Sequence, residues 1–168
     1  MAEDGTPVRF FELLEALVDG KVDFIVVGGV AAVLEGAPVS TFDLDIVYSL
    51  EEKNVSRLAD VLGKLNGVYV DPGGRTIRPT VDRLEGGGHH LLRTRFGRLD
   101  VMGSIGNDLS YPDLVQRSRA RTVRGLEILV LGLETLIASK AAANRPKDRA
   151  VLDLLRETVV QRDRQDDD

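Results

Sequence analysis

Asp43-Leu44-Asp45-Ile46-Val47-Tyr48 sets two carboxylates two residues apart in an otherwise apolar run. A β-strand turns successive side chains to opposite faces, so Asp43 and Asp45 project from one face and Leu44, Ile46 and Tyr48 from the other. Neighbouring anions repel, and burying either is costly unless solvent, donors or a cation lies between them. A divalent ion meets that need. Hard oxygen ligands suit Mg²⁺ or Mn²⁺, and a chain with no cysteine and two histidines is poorly equipped for zinc. An edge strand with its polar face in water carries the same alternation, so the pair gains weight only from its surroundings. Gly28-Gly29 stands upstream, where an apolar run gives way to a helical pattern, and glycine there lets backbone amides approach a phosphate. Alone it is a tight turn, and it matches neither G-x-G-x-x-G nor the P-loop pattern. Leu99-Asp100-Val101-Met102 supplies a third carboxylate inside an apolar strand. If that strand neighbours the first, three carboxylates converge, enough for two divalent ions acting on an attacking hydroxyl and on nucleotide phosphates. Otherwise Asp100 is an exposed strand residue or the ion-pair partner of Arg98.

Several elements must position these residues. Phe10, Leu13, Leu14 and Leu17 recur at helical spacing up to Asp19-Gly20. Residues 22–27 have the β-branched look of a buried strand, 30–35 of a short helix broken by Gly36 and Pro38, and 43–48 of a second strand. Ser49-Leu50-Glu51-Glu52 predicts a capping box opening a helix whose apolar face is Val55, Leu58, Ala59, Leu62 and Leu65. The pattern thins over 67–88, with turns at 71–74 and 86–88. Residues 91–96 and 99–102 flank Gly97-Arg98, which predicts a two-residue hairpin with glycine leading. Further strands are expected around Gly125 within 121–131, and helices over 133–143 and 146–160, with Pro146 in the first turn of the last. The expected fold class is α+β (mixed α/β), a mixed sheet with helices packed on it. One domain is expected over 1–160, with an acidic disordered tail over 161–168.

Composition narrows the function classes. With 168 residues, 43% apolar and 29% charged, the chain suits one modest globular domain rather than a disordered or fibrous protein. The absence of cysteine excludes disulfides, thiolate metal sites and cysteine nucleophiles. Apolar runs such as 24–27 and 128–131 fall far below the roughly 20 residues of a membrane span. Met1-Ala2-Glu3-Asp4 does not resemble a secretory signal, so the expectation is a cytoplasmic protein without membrane partners. Within a net charge of -5, residues 71–124 hold ten arginines, no lysine and six acids. Guanidinium is suited to phosphate or carboxylate, although a salt-laced surface has the same composition. Arg93 and Arg95 on one strand face suit an RNA backbone or merely the surface. His89 and His90, being adjacent in a strand, cannot both serve one site. Ser40 and Ser104 lack a nucleophile-elbow context.

Gly28-Gly29, thirteen intervening residues, Asp43-Leu44-Asp45-Ile46 and the later Leu99-Asp100-Val101 resemble the nucleotidyltransferase superfamily with the DNA polymerase beta type fold. Lys140-Ala141-Ala142-Ala143-Asn144-Arg145-Pro146-Lys147-Asp148 resembles the C-terminal helical signature of the abortive-infection type nucleotidyltransferase toxins and their relatives. The resemblance implies transfer of a nucleoside monophosphate from an NTP to a hydroxyl acceptor, with Mg²⁺ (or Mn²⁺) held by three carboxylates. Position by position, it implies that Gly28 and Gly29 meet the triphosphate, Asp43 and Asp45 bind both metals, and Asp100 assists the acceptor hydroxyl. Thr41 then supports the loop or a phosphate, Lys140 reaches the triphosphate, and Arg145, Lys147 and Asp148 order the pocket wall. The implied acceptors are tRNA, a protein side chain or a small molecule such as an aminoglycoside, with a partner protein in a two-component toxin-antitoxin pair. Val39 departs from the toxin pattern, which often has an arginine there. That departure motivates the alternative, a catalytically inactive nucleotide- or RNA-binding module with the same fold.

Overall fold

Phe24-Ile25-Val26-Val27 has no polar side chain to offer water on either face, and it becomes a strand buried along its whole length. It sits near the middle of a computed structural model that describes residues 8–168. The elements run α1 (Phe10–Asp19), β1 (Phe24–Val27), α2 (Gly28–Leu34), β2 (Leu44–Tyr48), α3 (Glu52–Lys64), β3 (Val68–Tyr69), α4 (Val81–Leu84), β4 (His89–Thr94) and β5 (Gly97–Met102). They continue as β6 (Ser104–Ile105), β7 (Leu109–Ser110), α5 (Tyr111–Val115), β8 (Ser118–Val123), β9 (Leu126–Leu131), α6 (Leu133–Ala143) and α7 (Pro146–Asp166). Seven strands form one mixed sheet in the order β3-β4-β5-β2-β1-β9-β8, and β6 and β7 make a separate two-stranded ribbon. β2 runs parallel to β5 and β1 to β9, while the other pairings are antiparallel. This is the expected α+β architecture. Among the described residues no helix is long and apolar enough to cross a membrane.

Burial along β4 alternates: His90, Leu92 and Thr94 are buried, and His89, Leu91 and Arg93 are exposed. This part of the sheet is therefore covered on one face and open on the other. The covered face shares a core with α3, which contributes Val55, Leu58, Val61 and Leu62. Each such side chain adds about 1.5–3 kcal/mol relative to exposure. Tyr48 Oη donates to Leu84 O at 2.6 Å, tying α4 to the same face.

Local chemistry departs from the sequence expectation at four places. The capping box at Ser49 does not form. Glu51 is the N-cap of α3, and the Ser49 hydroxyl only accepts the Glu51 N–H at 3.3 Å. The reason is Asn54, which is fully buried. Its Oδ1 accepts from Asp23 N at 2.7 Å, and its Nδ2 donates to Asp23 O at 3.0 Å and to Ser49 O at 2.8 Å. These bonds join the entry of β1 to the exit of β2 and draw Ser49 out of the helix. The capping interaction instead appears at α5, where the Asp113 carboxylate accepts from the N–H and hydroxyl of Ser110.

The hairpin turn is Arg95-Phe96, not Gly97-Arg98, because Thr94 pairs with Gly97. Thr94 Oγ1 accepts from Phe96 N at 3.1 Å and donates to Gly97 O at 2.8 Å, closing the turn two residues early. Gly97 is required elsewhere: its φ is +109°, and a Cβ would stand 2.9 Å from Val8 Cα. Arg95 thereby leaves the strand and lies over the Phe96 ring, so it does not share a strand face with Arg93. Finally, α7 continues through residues 161–166, which the sequence assigned to a disordered tail. Arg162 reaches Glu134 on α6 and Asp163, holding these last turns against the preceding helix.

Asn54→Ala removes all three hydrogen bonds, taking their partner from Asp23 N–H and from the buried Ser49 carbonyl. It is expected to lower unfolding free energy by about 2–4 kcal/mol in urea titrations. The exposed neighbour Ser56→Ala is expected to stay within about 0.5 kcal/mol of wild type. Equal midpoints for the two variants would refute the role given to Asn54.

Candidate active site

Register brings the carboxylates together. Asp45 pairs across β2 and β5 with Asp100, and Val27, at the end of β1, pairs with Asp45. The glycine turn after β1 and the two carboxylates thus form one row across three adjacent strands. Asp43, just before β2, completes the group: carboxylate oxygens of Asp43, Asp45 and Asp100 lie within 4.8 Å of one another. Gly28 has φ +64°, and a Cβ there would run into Asp45 Oδ2, so backbone takes the space beside the carboxylate. At Gly29 a Cβ would meet Thr41 Oγ1 at 2.7 Å. Thr41 Oγ1 itself donates to Asp43 O at 3.1 Å, linking the entry of β2 to the glycine turn.

This geometry makes full ionisation unfavourable. Burial first, then the charges of Asp43 and Asp100, push the Asp45 carboxyl well above the ordinary carboxylate range. Burial and then Asp43 raise Asp100 as well, which is 4% exposed, even though Arg98 Nη2 lies 3.4 Å from Asp100 Oδ1 and favours the anion. Arg98 Nε, also buried, has no hydrogen-bond partner. Three crowded carboxyls, two of them with raised proton affinity, presenting only oxygen donors, fit a divalent cation of the Mg²⁺ or Mn²⁺ type.

A wall of the opposite sign faces the same cleft. Asp148, 2% exposed, accepts from Arg145 Nε at 2.6 Å and lies 3.5 Å from Lys140 Nζ. Burial opposes its ionisation, but the Arg145 hydrogen bond and the Lys140 and Arg145 charges outweigh it and hold the carboxyl below its usual range. The cleft, about 1010 Å³, is lined by Gly28, Gly29, Thr41, Asp43, Asp45, Asp100 and Lys140, so it gathers every site residue the sequence pointed to. Arg145, Lys147 and Asp148 line it too.

The two histidines part company. His89 lines the cleft, and burial, then the neighbouring His90 and Arg145, hold its ring below the usual imidazole value and so neutral at neutral pH. His90 points into the core. Its Nε2 donates to Gly87 O at 2.6 Å, and its Nδ1 accepts from Tyr69 Oη at 2.7 Å. Sequence reasoning missed Arg98, Phe42, Leu136 and Ser139 as cleft residues. A signal existed for most of them. Arg98 shares the strand face of Asp100, and Leu136, Ser139, Lys140 and Ala143 follow the i, i+3, i+4, i+7 stripe of one helix face. For Phe42, lying outside regular structure, local pattern offers none.

A mixed sheet that aligns paired carboxylates on one strand with a third on its neighbour, beside a glycine turn, defines the nucleotidyltransferase fold. Solved structures agree. The lincosamide antibiotic adenylyltransferase LnuA, with lincomycin bound, superposes with a TM-score of 0.60 at 16% identity, over 91% of this chain and 99% of that one. The antibiotic-resistance factor ANT(2'')-Ia in complex with adenylyl-2''-tobramycin gives 0.58 at 14% identity, over 89% and 87%. A candidate nucleotidyltransferase from Thermotoga maritima gives 0.53 at 17% identity, over 95% and 99%. At such identities the likeness establishes the fold. No family model and no curated protein matches the sequence.

The raised carboxyls carry a sign that can be measured. Without a divalent cation Asp45 and Asp100 bind more protons in the folded chain than in the unfolded one, from the ordinary carboxylate value near 4 up to the raised values, so their contribution to stability falls as pH rises through that window. Added Mg²⁺ or Mn²⁺ is therefore expected to raise Tm more at pH 8 than at pH 5. In Asp45→Asn both the decline with pH and the metal response shrink. A metal-induced Tm shift independent of pH would contradict this account.

Proposed function

We propose that this chain transfers a nucleoside monophosphate from an NTP to a hydroxyl acceptor, using the cleft that holds Asp43, Asp45 and Asp100. The observation that carries the proposal is the convergence of these three carboxylates within 4.8 Å beside the Gly28-Gly29 turn. Asp43 and Asp45 would hold Mg²⁺ or Mn²⁺, and Asp100 would complete the set. The cation, when bound, supplies charge neutralisation on the phosphates and acidifies the attacking hydroxyl. The chain's own groups do the positioning. The backbone at Gly28 and Gly29 receives the phosphates where a side chain would block them. Lys140, oriented by Asp148, adds a point charge for the triphosphate, and Arg145 and Lys147 extend that wall. The acceptor oxygen bonds to the α-phosphorus, the bond from that phosphorus to pyrophosphate breaks, and the hydroxyl proton passes to the Asp100 carboxylate.

Two of the similar structures hold a small antibiotic or its adenylylated form. A small hydroxyl-bearing molecule is accordingly the first acceptor to try, with tRNA and protein side chains next. The abortive-infection subtype and a toxin-antitoxin role with a partner protein rest on the segment from Lys140 to Asp148.

Incubating the protein with α-phosphate-labelled NTPs, Mg²⁺ or Mn²⁺ and cell lysate is expected to transfer label to an acceptor and release pyrophosphate. Asp43→Asn and Asp45→Asn should each reduce transfer by roughly 100-fold or more, since metal stabilisation of the transition state amounts to several kcal/mol. Their circular dichroism should match wild type. Retained transfer in both variants would sink the proposal. Metal-dependent NTP binding with no label transferred across the acceptor panel would instead mark an inactive nucleotide-binding module.

A further inference from the structure

Phe42 is 56% exposed, more than any other large hydrophobic residue among those described, yet it lines the cleft directly before Asp43. A phenyl ring left in water forgoes most of the stabilisation that burial would supply. Its backbone is nevertheless held: Thr41 Oγ1 donates to Asp43 O at 3.1 Å, bridging across Phe42, and Thr41 packs against Gly29. Arginines stack over Phe11, Tyr69 and Phe96, but among the described residues none covers Phe42. The ring is thus presented on a pinned segment with an open face.

The side of the site is also defined. Thr41 ties this segment to the glycine turn, whereas Asp100 lies on the far side of β2. We infer that Phe42 is a stacking platform for the base of the nucleotide donor, an inference that rests on the nucleotidyl-transfer reading. Every nucleobase has a flat π-face, so a platform of this kind holds bases without reading their edges. Purine and pyrimidine nucleotides therefore both bind, with purines favoured only by their larger surface.

Calorimetry with Mg²⁺ and each of ATP, GTP, CTP and UTP, and with inorganic tripolyphosphate as the probe lacking a base, tests this on wild type, Phe42→Ala and Phe42→Trp. The alanine variant is expected to weaken all four NTPs by about 5- to 100-fold, the range for losing one stacked base, and to change tripolyphosphate affinity by less than about twofold. Tryptophan should retain NTP affinity. Wild-type NTP binding that alanine leaves unchanged overturns the platform while sparing the transfer proposal. An equal loss for tripolyphosphate also overturns it, because the residue then shapes the loop rather than holding a base. A wild type that binds no NTP removes the transfer reading and this inference together.

Discussion

Mutual repulsion among three carboxylates is the constraint around which this molecule is arranged. Asp45 and Asp100 cannot separate, because each belongs to a strand whose alternate residues are packed in the core and whose register is set by parallel pairing. Sliding either strand by one residue would turn Leu44 and Ile46, or Leu99 and Val101, out to the open face. The apolar burial on the covered face therefore offsets the electrostatic penalty on the other. Arg98 relieves part of that penalty, yet the raised proton affinity of both acids shows that one guanidinium is not enough. The site is a place where stability yields to the demand for dense negative charge.

Glycine has a corresponding role on the neighbouring strand. The turn at Gly28 and Gly29 brings backbone so close to Asp45 and Thr41 that side chains at either position would collide with them. The same contact couples the turn to the 41–43 segment through Thr41. This side of the cleft is thereby shaped by backbone, a cheaper device than a set of long side chains that must be ordered on binding.

Much of this was legible from local pattern. The alternation in Asp43 to Tyr48 exposed a two-faced strand, and the spacing of Val55, Leu58 and Leu62 exposed a one-faced helix, because both periods are properties of a few consecutive residues. The pairing of Asp45 with Asp100 could be expected only as a condition, since it depends on which strands become neighbours. Asn54 was invisible for the same reason: its partners are at Asp23 and Ser49, and within its own helix it looks like an ordinary polar residue on an apolar face. Gly97 misled because glycine between two strand patterns has two explanations. Here the close approach of Val8 requires it, while Thr94 and its hydroxyl make the turn.

The distribution of charge across the cleft narrows what can occupy it. On the floor, three carboxylates and Arg98 leave a formal charge of minus two; on the wall, Lys140, Arg145 and Lys147 with Asp148 leave plus two. A cation alone would satisfy the floor and leave the wall repelling it. A polyanion alone would satisfy the wall and meet repulsion from the floor. A divalent cation joined to a polyphosphate answers both halves at once, and each component screens the other from the surface of its own sign. Asp148 sharpens this division: it removes one charge from the wall while pairing with Arg145 at 2.6 Å and Lys140 at 3.5 Å, so the wall offers fewer but better placed cations. On the proposed reading, the metal and the nucleotide therefore bind with positive coupling, each improving the electrostatic setting for the other.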